Sequence, residues 1–115
     1  MFDMTDEDHR AHTVAGFHKL ADFLYEYDES APLNTASRID VQYSILEEDD
    51  DKARAEFNDT AEFMREVRRD VSAEFSEEHN VYDTNTHHIA MLTFGAGTVA
   101  YRAVWIEKTG EGDEQ

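Results

Sequence analysis

The chain has no cysteine, which excludes disulfides, thiolate metal sites and a cysteine nucleophile. It also lacks any charge-free apolar stretch of helix-spanning length, so no membrane span is expected. Met1 to Arg10 is acidic and has no apolar core of the signal-peptide kind, which makes the cytoplasm the expected location. Basic residues are scarce, with 10 Lys and Arg against 27 Asp and Glu, for a net charge of −17. That balance disfavours duplex DNA or anionic lipid as a direct partner. Catalytic signatures are missing too. Gly95 and Gly97 precede no helix and cradle no phosphate, and no Gly-x-Ser-x-Gly elbow occurs. The expectation is a protein that is not an enzyme and holds no cofactor.

What is present argues for a folded domain. Seven Phe, five Tyr and one Trp are too many aromatics for a disordered chain, and 115 residues suit one core. Residues 1–109 are expected to form a single α+β domain, with 110–115 as an acidic frayed tail.

The spacing predicts a helix from about Thr5, where Thr5 and Asp8 have capping-box spacing. Val14, Phe17, Leu20, Ala21 and Leu24 line one face of it, widened by Phe23 and Tyr27. Gly16 weakens this helix and is expected to mark close packing. Asp28 to Ser37, with the only proline, Pro32, reads as a loop. Arg38 to Leu46 is the clearest strand, with Ile39, Val41, Tyr43 and Ile45 alternating with polar residues. A second helix is expected from about Asp51, with Phe57, Ala61, Met64 and Val67 on its apolar face. The acidic run Glu47 to Asp51 stands at its N-terminus, where carboxylates cap free N–H groups. Val71 to Glu78 fits a helical extension or a short strand; the strand is preferred because the helix would be long.

Thr86 to Phe94 and Val99 to Lys108 form a hairpin through Gly95-Ala96-Gly97-Thr98, with a two-residue turn. The resulting order is α-β-α-β-β-β, an antiparallel sheet with both helices packed on one face. Between Asp83 and Glu107 there is no acidic residue, and Arg102 is the only permanent charge. One hairpin face carries His88, Leu92, Phe94, Val99, Tyr101 and Trp105. The other carries Ile89, Met91, Arg102, Val104 and Ile106, with His87 and Ala100, and is the candidate interface. Either loops and the tail cover this face, or a homodimer or another protein partner does.

The six histidines give no metal pattern. His9 and His12 form a helical pair without the four-ligand set of zinc sites, and His87 and His88 point to opposite faces of a strand. His79 reaches one of them only through a loop. The acidic run lacks the alternating ligands and central Gly of a calcium loop. Arg65, Arg68 and Arg69 are too few for a nucleic-acid footprint and suit pairing with Glu62 and Glu66.

Ala15-Gly16 and Leu20-Ala21-Asp22-Phe23-Leu24 resemble the opening of a family of short actinobacterial and actinobacteriophage proteins. Those begin with an Ala-Gly-Leu-x-x-Leu-Ala-Asp-Phe-Leu-Glu helix, then have a Pro-containing loop, a strand, a second helix and closing strands with a Gly-rich turn. Phe17 replaces the usual Leu here, Tyr25 is inserted before Glu26, and the acidic stretch after Leu46 is longer. The family has no assigned activity, so no functional residue carries over. The resemblance implies an accessory protein of a phage or of its bacterial host. On this reading the chain binds a host or phage protein. The alternative is an acidic nucleic-acid mimic, of the anti-restriction or anti-CRISPR type, occupying a basic DNA- or RNA-binding site.

Overall fold

The computed structural model describes residues 5–109, which pack as two units dividing between Ser37 and Arg38. The expected acidic tail, 110–115, lies outside the described residues.

The first unit is built on α1 (Asp6–Glu26). Thr5 caps it, its hydroxyl accepting the Asp8 N–H at 3.0 Å, and Asp6, Glu7 and Asp8 face the positive end of the helix dipole. The periodic stripe is there, yet no residue of α1 is buried, and Val14 and Phe23 remain about half exposed. Gly16 corrects the expectation of close packing, because a Cβ built on it meets no atom within 4 Å. With open space and ordinary helical backbone, Gly16→Ala should raise the stability of α1 by about 0.5–1 kcal/mol. Far-ultraviolet circular dichroism through a thermal melt reads this as added helicity; unchanged or lower helicity would show that the glycine is needed. The loop after α1 closes on an Asn34 turn, whose side-chain oxygen accepts the Ala36 N–H at 2.8 Å.

The second unit holds β1 (Ile39–Ser44), α2 (Asp50–Val67), β2 (Glu74–Val81), β3 (Asn85–Phe94) and β4 (Val99–Lys108). The order α-β-α-β-β-β is as expected, and the class is α+β. The sheet runs β1-β4-β3-β2. It is mixed, and this corrects the antiparallel expectation: β1 pairs with β4 in parallel, while β2–β3 and β3–β4 are antiparallel. The cause is α2. A helix crossing one sheet face carries the chain back, so the next strand sets out in the direction of the previous one. β1 and β2 thus become parallel outer strands, and the tightly turned β3–β4 hairpin fills the space between them.

α2 is capped by Asp49, whose carboxylate accepts the Lys52 N–H at 3.0 Å. Its inner residues Ala53, Phe57, Ala61 and Met64 are buried against Ile45, Ala90, Leu92 and Trp105. Small residues at the centre of the sheet, Ala90 and Ala103, are fully buried and let the helix approach. Among the described residues of the second unit only α2 covers this face; α1, expected beside it, belongs to the first.

The segment after α2 resolves in favour of the strand, starting three residues later than expected. The helical turn runs on to Ser72, whose φ of 55° is left-handed. The Ser72 N–H donates to the Arg69 carbonyl at 3.2 Å and the Ala73 N–H to the Arg68 carbonyl at 2.8 Å. These are the paired bonds of a Schellman stop, with serine where glycine is usual. The β3–β4 connection takes four residues, 95–98, where two were expected: Gly95, Ala96 and Gly97 are all left-handed, with φ of 58°, 60° and 85°, the Gly97 N–H donates to the Phe94 carbonyl at 3.0 Å and the Thr98 N–H to the Gly95 carbonyl at 3.2 Å. Left-handed central residues give a turn whose twist matches the strands it joins.

Candidate functional site

Alternation along the paired strands assigns every side chain in the sheet to one of two faces. In the β3–β4 register Ile89 opposes Val104, Met91 opposes Arg102 and His87 opposes Ile106. The five candidate residues Ile89, Met91, Arg102, Val104 and Ile106 therefore share one face, the one turned away from α2. Their exposure is uneven. Ile106 is 53% exposed, Ile89, Met91 and Arg102 are half-buried, and Val104 is buried at 9%. Ile106 and Met91 are thus better placed for contact than Val104. Arg102 lies across to β1, donating from Nε and Nη2 to the Gln42 side-chain oxygen at 3.2 and 3.0 Å.

Neither β3 nor β4 places an acidic residue on this face. The outer strands do: Asp40 pairs beside Ala100, Glu78 beside Ile89 and Glu74 beside Thr93. The result is an apolar centre with one arginine, bordered by carboxylates on both sides. Binding surfaces are commonly built in this way, as an apolar middle within a polar rim.

The face toward α2 holds a second group of polar side chains, which spacing along the sequence does not bring together. His79 stands directly opposite His88 in the β2–β3 register. Their Nδ1 atoms are 2.6 Å apart. At the far side of each ring Nε2 meets a carboxylate, His79 with Glu77 at 2.8 Å and His88 with Glu107 at 2.8 Å. Each carboxylate then meets an arginine of α2, Glu77 with Arg65 and Glu107 with Arg54, both at 3.0 Å. Arg54 and Arg65 stand eleven residues apart, three helical turns or roughly 16 Å, and so project from one side of α2. The chain of contacts runs Arg65–Glu77–His79–His88–Glu107–Arg54, with the same order of residue types from either end.

Aromatic rings line this chain. The His88 ring stacks on Trp105 at 4.6 Å, and Phe57 lies within 6.0 Å of both imidazoles. Arg54 sits 5.1 Å over Trp105 and Arg65 4.9 Å over Phe75. The side chains of His88 and Glu107 are 14% and 16% exposed, whereas that of His79, on the edge strand, is 47% exposed. The hydrogen bond from His88 holds the Glu107 carboxyl below its ordinary value, burial opposes this, and Arg54 lowers it further. Arg65 therefore pairs with Glu77, not with Glu62 or Glu66 as the helical spacing suggested. Among the described residues no group of three or more His, Asp or Glu is placed to hold a metal ion.

No helix among the described residues is long and apolar enough to cross a membrane. No protein-family model, curated protein or solved structure matches the chain.

Proposed function

We propose that the protein works by binding, not by catalysis, and that it docks a protein partner on the sheet face turned away from α2. The observation that carries this reading is the register that gathers Ile89, Met91, Arg102, Val104 and Ile106 on one face with no acidic neighbour on β3 or β4. The bordering Asp40, Glu74 and Glu78 favour a partner with an apolar patch ringed by Lys or Arg. They disfavour a second copy of this chain, since two rims of like charge would meet on molecules of net charge −17 each. The likeness of the first helix to actinobacterial and actinobacteriophage proteins is in keeping with an accessory protein that binds a host or phage component.

Substituting Met91→Glu together with Ile106→Asp should weaken partner binding about 30-fold or more, the size of a hot-spot loss. Phe63→Asp, at an exposed position on α2, should leave it unchanged. Affinity capture followed by titration of the retained partner measures all three proteins. Equal binding by the double variant would overturn the reading. So would light scattering that shows a homodimer dissociated by the same two substitutions.

The second reading, an acidic nucleic-acid mimic, draws on Glu47 to Asp51, five consecutive and exposed carboxylates. Neutralising that run, and not the sheet face, would then abolish binding, and affinity would fall steeply with salt.

A further inference from the structure

We propose that His79 and His88 hold one proton between them, forming a single-cation site that clasps edge strand β2 to the sheet. Counting hydrogens gives this result. A carboxylate only accepts, so the Nε2 atoms facing Glu77 and Glu107 must each carry a hydrogen. Glu107 is held in its ionised form, which makes this firm for His88. The two Nδ1 atoms are 2.6 Å apart, a distance that needs one hydrogen between them. Two bare lone pairs would repel there, and two N–H groups would collide. Three hydrogens on four ring nitrogens make one imidazolium and one neutral imidazole.

The charged groups facing the pair agree with one extra proton. From β2 comes Glu77, from β4 Glu107, and from α2 Arg65 and Arg54, each arginine already paired with one of the carboxylates. Two anions bonded directly to the pair stabilise one cation, while the arginines and the shared N···N contact oppose a second. The strand geometry adds a mechanical role. Among the described residues β2 is an outer strand, bonded only to β3, so the pair is a side-chain tie across the edge.

Nitrogen-15 NMR of the imidazoles in the intact, chelator-treated protein tests the count directly. At pH 6.5 the expected spectrum has both Nε2 atoms protonated and one proton exchanging between the Nδ1 atoms. In His79→Gln, whose side chain is half exposed and tolerates change, the exchanging signal should be lost while the Nε2 hydrogen of His88 on Glu107 remains. Two independent neutral rings, or an exchanging signal that persists in His79→Gln, would overturn the proposal. Stoichiometric uptake of added zinc at both Nδ1 atoms would also overturn it, since a metal would then be the ligand the pair is built for.

Discussion

Phe57→Ala should destabilise the second unit by about 3–5 kcal/mol, the range expected for the largest truncations in its core. Phe57 is 1% exposed and sits at the middle of α2, among Met64, Leu92 and Trp105. The loss has two parts, the transfer of the ring from water and the cavity that remains because the surroundings relax only partly. A domain of this size has a total stability of about 5–15 kcal/mol, so the variant should be close to its unfolding midpoint in mild urea. The ring also packs beside His79 and His88, so its removal lets water reach the imidazole pair from the helix side. Phe57→Leu keeps much of the volume and should lose far less, about 1–1.5 kcal/mol. Urea denaturation with an unchanged m-value measures both; a midpoint for Phe57→Ala within 1 kcal/mol of wild type would mean the core does not centre on this ring.

That centre was legible in the sequence, because four- and three-residue steps from Phe57 to Met64 define a helix face without reference to anything outside the helix. β1 was legible for the same kind of reason, the two-residue period of Ile39, Val41, Tyr43 and Ile45. Strand direction was not. Alternation has the same appearance in parallel and antiparallel pairs, and the pairing of β1 with β4 joins segments some sixty residues apart. β2 starts three residues beyond its expected start because Ser72, not glycine, takes the left-handed stop after α2. A glycine there would have marked the end of the helix.

The two sites differ in the same way. The face of Ile89, Met91 and Ile106 follows from alternation within one hairpin, so its membership could be read directly. The histidine pair required the β2–β3 register, and the inward side of β2 conceals that register. Its residues Phe75, Glu77, His79 and Val81 alternate in position but not in polarity. With the strand expected to end at Glu78, His79 fell outside it and had no partner to face. The usable signal was Asp83-Thr84, turn-forming residues between Tyr82 and Asn85, which the Tyr82 N–H closes by donating to the Asn85 carbonyl at 2.7 Å. A hairpin centred there places residues 79 and 88 opposite each other.

Glu107→Ala should cost about 1–2 kcal/mol at neutral pH, and its pH dependence distinguishes the carboxylate's role from simple packing. Glu107 accepts from His88 Nε2 at 2.8 Å and from Arg54 at 3.0 Å, in a position where its side chain is 16% exposed. Alanine leaves a part-buried imidazole N–H without an acceptor and frees the half-exposed guanidinium to turn toward water, which limits the loss. The carboxyl is held below its ordinary value of 4.5, first by the His88 hydrogen bond and then by Arg54. Its stabilising effect is therefore complete above that ordinary value and is lost as pH falls through the lowered one. Wild type and Glu107→Ala should differ most at neutral pH and converge in acid, below pH 4.5. Glu107→Gln separates the contributions further, since an amide oxygen still accepts from His88 but carries no charge to hold the shared proton. That variant should lie between the other two at pH 7 and show a weaker fall in acid than the wild type. Denaturation curves collected from neutral to acid pH measure all three proteins, and a gap that stays constant with pH would mean Glu107 contributes only shape.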